Sequence, residues 1–250
     1  MNADRFAVAL TDLRGRLNAY VPGSLLLGKD GAAAWITGLP HAASNAVWLE
    51  QPNPPASAVA ALLDEVAGAG VPFTFSLRPG SDAVLADLAA VRGMKPDGDL
   101  RLMIHDATAG VGAIRRARGL TVRQLGPHEG AVHARVAAAA FGDPEAMFLP
   151  SPGVMGMDGL RCYAGEADGR PVTTALSVTD GELSAIFNVA TVPAYRGRGF
   201  ATAVTARALA NGVMAGAAWT WLHSSEEGYP VYRNLGFRTI ETWTNWVPAP

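Results

Sequence analysis

The sequence predicts an α/β (α+β) protein in which strands and helices alternate, with one order of elements used twice. Three observations carry this. Leu160 to Ala190 reads as three strands in a meander, and Asp168-Gly169 and Asp180-Gly181 supply hairpin turn signals. Val189 to Val192 forms a strand that Pro193 ends, and a Gly-rich basic turn then opens a helix at Phe200. Finally, the succession strand, helix, strand, helix, strand occurs in both halves of the chain. With 250 residues, 49% of them hydrophobic, there is enough apolar material for one large or two small cores.

In the second half, Leu120 to Leu125 is a strand, Glu129 to Phe141 an Ala-rich helix, and Leu160 to Ala190 the meander. The repeated order then runs Ile186 to Val192, Phe200 to Gly216, Ala218 to Ser224, Glu226 to Asn234, Gly236-Phe237 and Ile240 to Val247. In the first half it reads Asn45 to Glu50, Ser57 to Gly70, Pro72 to Arg78, Asp82 to Arg92, Gly93-Met94 and Leu100 to His105. Residues 106–119 break the periodicity and concentrate Gly and Arg. The expected domains are therefore 1–112 and 118–250. Arg115, Arg116 and Arg118 read as part of a solvated linker, since no aromatic residues are interleaved with them.

Composition excludes several function classes. The formal net charge of −2 gives no field directed at nucleic acid or an anionic membrane. No apolar run is long enough to span a bilayer, and the first residues lack a signal-peptide pattern. The single cysteine, Cys162, excludes an intrachain disulfide and reads as a small buried hydrophobe. These features predict a cytoplasmic protein with no nucleic-acid or membrane partner, either monomer or homodimer. His128 and His133 lack further ligands, so no metal is expected.

The chemistry concentrates at Phe187 to Thr202. Gly197 and Gly199 let the backbone curl, and the helix beginning at Phe200 presents unpaired amides and the positive end of its dipole to an anion, with Arg196 and Arg198 adding charge. The Walker pattern is absent: the only lysines, Lys29 and Lys95, stand in no such run. The dinucleotide fingerprint fails too, because Thr202 stands where its third Gly belongs. The segment Arg196 to Ala201 has the form Arg-x-x-Gly-x-Ala and follows a strand ending in Val-Pro. It resembles the acetyl-CoA pyrophosphate loop of the GNAT superfamily of N-acyltransferases. Tyr232-Arg-Asn-Leu-Gly-Phe237 is similar to the same family's Tyr-x-x-x-Gly-Phe ending. The resemblance covers residues 118–250.

That resemblance implies a twisted, mixed, mainly antiparallel sheet flanked by helices, and acetyl-CoA as acyl-donor co-substrate. Tyr232 matches the general acid near the sulfur. The main chain of Val189, Ala190 and Thr191 matches the strand that pairs with the pantetheine and polarises the carbonyl. Gly197, Arg198, Gly199, Phe200, Ala201 and Thr202 match the pyrophosphate contacts, made mainly by amides, with Arg196 preceding them. Ser225 stands where many relatives place an Asn that helps hold the cofactor. Thr220 stands where some relatives carry a basic Glu, so that base is absent. His223, at a strand end, is a candidate base, as are Glu226, Glu227 and water; a merely structural histidine is the other reading of His223.

The apolar segment Phe141 to Met157, with Asp143 and Glu145, is the expected acceptor wall. The first half resembles a degenerate copy, with Gln51-Pro-Asn-Pro-Pro55 where the loop would be. Prolines remove the amides a phosphate needs. An unrelated α/β accessory domain remains the alternative, and either would serve in packing or as an acceptor wall. The expected activity is acetyl transfer to a primary amine, of a small molecule. The rival is an acyl-CoA-binding sensor without transferase activity.

Overall fold

A computed structural model of the chain describes residues 2–110, 117–144 and 153–249. Arg115 and Arg116 of the expected linker, and Glu145, Met147 and Phe148 of the expected acceptor wall, lie outside the described residues. In chain order the elements are α1 (Ala3–Asn18), β1 (Leu25–Lys29), β2 (Ala32–Ile36), β3 (Asn45–Leu49), α2 (Ala56–Gly68), β4 (Thr74–Leu77), α3 (Ala83–Ala90) and β5 (Met94–Asp106). They continue with β6 (Thr121–Gln124), α4 (Gly130–Phe141), β7 (Leu160–Ala167), β8 (Arg170–Asp180), β9 (Leu183–Thr191), α5 (Phe200–Met214), β10 (Trp219–Ser224), α6 (Tyr229–Asn234) and β11 (Arg238–Pro248).

The chain forms two compact units, Met1–Leu102 with Ile240–Pro250, and Met103–Thr239. Their composition differs from the expected linear division, because the last strand belongs with the first unit and the end of β5 with the second. In each unit an antiparallel run of strands leads into a pair of parallel strands joined through a helix. Side-chain alternation explains which faces are buried.

In the first unit the strand order is β1-β2-β3-β4-β11-β5. β1 and β2 meet at Asp30-Gly31, with Asp30 at a φ of 45°, and Lys29 faces Ala32 across the turn. β3 and β4 are parallel, with α2 crossing between them, and β4 pairs antiparallel with β11 in the register Thr244 to Leu77 and Trp246 to Phe75. α2 lays Val59, Leu62, Leu63 and Val66 on Ala34, Val47, Leu49 and Phe75, the spacing of one helical face against every second strand residue.

In the second unit the order is β6-β7-β8-β9-β10-β5. β6 to β9 are antiparallel, and α5 carries the chain across to β10, which lies parallel to β9. Asp168, at a φ of 51°, makes the tight turn between β7 and β8. Gly181-Glu182 makes the next, with Asp180 as the last strand residue. Val204, Ala208 and Leu209 of α5 pack with Tyr163, Ala175, Ile186 and Leu222, and Tyr232, Leu235 and Phe237 complete this core. On the opposite face, Ala137 and Ala140 of α4 pack on Ala190. The sheet is mixed, mostly antiparallel and flanked by helices. No helix among the described residues is long and apolar enough to cross a membrane.

Candidate active site

The second unit contains a parallel pair that separates. β9 and β10 are in register only at Leu183–Trp219, Ser184–Thr220 and Ala185–Trp221. Beyond these pairs β9 continues through residues 186–191 and β10 through 222–224, so that edge of β9 has no strand partner among the described residues. A bulge lies in this stretch. Thr174 faces Ala190 and Leu176 faces Phe187, which places two β9 residues opposite Ala175. Asn188 adopts a φ of 50° there, a left-handed conformation that Asn tolerates better than most residues.

At the end of β9 the chain makes a single 3-10 turn, Pro193–Tyr195, and then curls through Gly197 and Gly199, at φ of 73° and 78°. Gly199 is the residue that precedes α5 and provides no side-chain cap. A Cβ built at either glycine would meet nothing within 4 Å, so open space lies before the loop. The first amide of this region to find a backbone carbonyl is that of Ala203, which donates to the oxygen of Gly199. The amides of residues 197–202 donate to no carbonyl among the described residues. A row of free donors at a helix N-terminus is what a diphosphate requires.

The side chains of this loop hold it in shape. Arg196 donates from Nη2 to the carbonyl of Ala140 at 2.8 Å and from Nε to that of Thr191 at 3.2 Å, tying the loop to the end of α4 and to β9. Arg196 is thus a brace, and its charge lies next to the amides. Arg198 is exposed and stacks over the Tyr195 ring at 5.0 Å, and Tyr195 in turn lies 6.2 Å from Phe200. Phe200 itself is buried with Val172 and Ala167, so what it can offer a ligand is its amide. Thr191 uses its hydroxyl on Thr173 at 2.8 Å. Ala201 and Thr202 begin the first turn of α5, half exposed.

Tyr232 lies in α6 and is largely buried, with its ring edge-on to Phe237 at 6.1 Å. Its hydroxyl makes no hydrogen bond among the described residues, and burial pushes its pKa up to about 12. The phenol therefore stays protonated. Gly228 permits this placement, because a Cβ there would come within 2.9 Å of the Tyr232 ring. Ser225 closes the turn before α6, its hydroxyl accepting from the amide of Gly228 at 3.2 Å.

His223 is on β10, half-buried, and meets Trp221 edge-on at 5.9 Å. Leu222, its neighbour, belongs to the core that also contains Tyr232, so alternation puts His223 on the opposite face, that of α4. Thr220 is 1% exposed in the same strand, with the parity of Leu222. The structure thus assembles the loop, the separated edge of β9 and Tyr232 in one unit, and places His223 across the sheet from Tyr232.

Asn188 and His133 also bear on this region. Asn188 carried a signal, an Asn inside an apolar strand, which is the residue type that accepts a positive φ. His133 was visible only as a histidine without ligands. In the structure it is fully buried on α4, and its Nδ1 lies 2.8 Å from the hydroxyl of Thr174. Burial lowers its pKa to about 4. Among the described residues no three His, Cys, Asp or Glu side chains converge as metal ligands.

Together these features describe the fold of the GNAT acetyltransferases in tandem form. Residues 167–240 match the family model of the acetyltransferase (GNAT) domain. Among solved structures the chain is similar to a GCN5-related N-acetyltransferase from Kribbella flavida, with 18% identity, 99% of this chain and 96% of that one covered, and a TM-score of 0.72. It is also similar to a GCN5-related N-acetyltransferase from Sphaerobacter thermophilus, at 16% identity, 88% and 78% coverage and a TM-score of 0.63. A tandem GNAT protein from the clavulanic acid biosynthesis pathway gives 16% identity, 92% and 85% coverage and a TM-score of 0.59. The sequence matches no curated protein.

Proposed function

We propose that the protein is an acetyl-CoA-dependent N-acyltransferase that acetylates a primary amine of a small molecule. The observation that carries this reading is the row of free amides at residues 197–202, beside the edge of β9 that β10 leaves without a partner. The amides suit the diphosphate, and the free edge suits an extended pantetheine that pairs as an added strand. The donor site belongs to the second unit. In the first, Pro54 and Pro55 have no amides to offer, and Arg78 donates to the carbonyl of Glu50 at 2.7 Å where β3 and β4 end.

In the reaction, the neutral amine nitrogen adds to the thioester carbonyl and forms the C–N bond. The C–S bond then breaks with its electron pair on sulfur. Tyr232 supplies the phenolic proton to that sulfur, a role its raised pKa suits because the proton is retained until a base develops. The proton released from nitrogen passes to His223 or to water on the α4 face, and solvent reprotonates the tyrosine. Polarisation of the carbonyl falls to main-chain amides of Val189 to Thr191.

One observation favours the sensor reading: at the position where some relatives carry a basic Glu there is Thr220, buried and unable to take a proton near neutral pH. Calorimetric titration with acetyl-CoA, followed by assay of free-thiol release with primary amines, tests both. Micromolar-range binding with thiol release supports the transferase; binding without release across amines supports the sensor. A folded protein that binds no acetyl-CoA defeats both readings.

A further inference from the structure

The imidazole of His133 has a protonation pattern that its neighbours dictate. The hydroxyl of Thr174 donates its single hydrogen to the carbonyl of Tyr163 at 2.8 Å, and a carbonyl can only accept. The 2.8 Å contact between Thr174 and Nδ1 of His133 must therefore run the other way, with Nδ1–H as donor. In the neutral ring that leaves Nε2 as a bare lone pair. This nitrogen is buried and has no partner among the described residues. The large majority of buried polar side-chain atoms find a partner, so one that does not calls for an explanation.

Its position offers one. His133 stands one helical turn before Ala137, and Ala137 and Ala140 seat α4 closely on Ala190. Ala190 is the cross-strand partner of Thr174, and the bulge at Asn188 and Val189 follows immediately along β9. His133 thus lies over β8, one strand from the separation of β9 and β10, on the face opposite Tyr232. α5 and α6 pack on the Tyr232 face, opposite His133.

We infer that His133 recognises the acceptor: Nε2 accepts a hydrogen bond from an N–H of the amine, directly or through one bound water, and so sets the nitrogen's position before attack. The inference rests on the transferase reading of the same site. Thr174 and Tyr163 fix the ring, leaving its one acceptor atom without a partner among the described residues.

The test uses His133→Asn, whose side-chain amide can keep the donor to Thr174 while deleting the Nε2 edge. The probe is whichever primary amine, from a panel of alkylamines and arylalkylamines, gives the fastest thiol release. The expected result is acetyl-CoA affinity within about twofold of the parent, with KM for the amine raised on the order of tenfold and kcat changed less. In the parent protein labelled with ¹⁵N-histidine and saturated with CoA, which cannot react, adding that amine should shift the Nε2 resonance of His133. Unchanged KM, or an Nε2 resonance that stays in place, would overturn the inference while acetyl-CoA binding and turnover keep the transferase reading intact. If the asparagine variant fails to fold, the resonance in the parent protein decides alone. Failure of the parent to bind acetyl-CoA would overturn the transferase reading and this inference with it.

Discussion

Ile186 and Val189 stand three positions apart on β9, yet both pack into the core beneath α5. In an unbroken strand an odd separation would put them on opposite faces. The bulge at Asn188 restores the parity, and it does so in the stretch that β10 leaves unpaired. Asn188→Val should therefore destabilise the protein by about 1–2 kcal/mol, because a β-branched residue resists a φ of 50°. It should also weaken acetyl-CoA binding, whereas Asn188→Gly should keep both. Thermal unfolding and calorimetry on the pair check this; full affinity in the valine variant would separate the bulge from the cofactor site.

Gly199 faces open space at a φ of 78°, so the size of a substituent and its charge can be told apart. Gly199→Ala should cost about 1 kcal/mol from backbone strain, roughly 2–4 °C in Tm, and leave acetyl-CoA affinity within a few-fold. Gly199→Glu should fold equally well and lose at least about tenfold in affinity, since a carboxylate would stand before the amides that receive the diphosphate. Calorimetry beside unfolding curves measures both effects.

Tyr232→Phe removes a hydroxyl that has no partner among the described residues, so folding should be unaffected or slightly favoured. Turnover should fall by roughly 10²-fold, with acetyl-CoA affinity maintained. Because burial places the pKa at about 12, the parent's turnover should show no loss from tyrosine ionisation anywhere below about pH 11. Turnover in the phenylalanine variant equal to the parent's would remove the tyrosine from the reaction.

Arg78, the residue after β4, and Glu241 of β11 are joined by two parallel hydrogen bonds of 2.9 and 2.8 Å, and Arg78 also meets Asp4 at 2.7 Å. Its side chain is 1% exposed. Glu241→Ala would leave a buried guanidinium with Asp4 as its one charged partner among the described residues. The expected loss is about 3 kcal/mol in chemical denaturation. A loss under about 1 kcal/mol would mean that Asp4 alone suffices.

His133 makes stability depend on pH. Its folded pKa, about 4, lies below the ordinary value of 6.5, so between these values the unfolded chain holds a proton that the folded one does not. Stability is complete above about pH 6.5 and declines as pH falls towards 4, by an amount of order 3 kcal/mol. The difference between parent and His133→Asn stabilities, followed from pH 7.5 to 4, should show this slope in the parent alone. A constant difference would mean that the histidine ionises equally in both states.

Much of the second unit was legible in the sequence because its signals are local. Asp168-Gly169 suits a tight hairpin wherever it occurs, and the turn is there. The glycines after Val192-Pro193 reveal a curled loop, and the apolar spacing from Phe200 reveals the helix that follows. The repeated element order was legible for the same reason. The first 44 residues carry comparable signals, an Asn cap before α1 and Asp30-Gly31 between β1 and β2, but they lie outside the repeat that made the other elements recognisable.

Other features depended on groups far apart in the chain. Residues 240–250 follow the second half in sequence, but hydrogen bonds from β11 to β4 and the contact of Arg78 with Glu241 place them in the first unit. Strand pairing satisfies backbone groups with whichever edge folding presents, and no residue pattern in β11 specifies that edge. The same holds at the site. Arg196 reads as a phosphate ligand by its neighbours in sequence, but the carbonyls of Ala140 and Thr191 make it a brace. Residue order was enough to specify the local parts: the amide-rich loop, the helix behind it, and the tyrosine in its Gly-Phe setting. The assembled fold was needed to separate β9 from β10 after Ala185, to set Tyr232 and His223 on opposite faces, and to turn the lone pair of His133 away from Thr174. Each of these is set by packing between elements, which fixes side-chain direction and hydrogen-bond partners that local propensity leaves open.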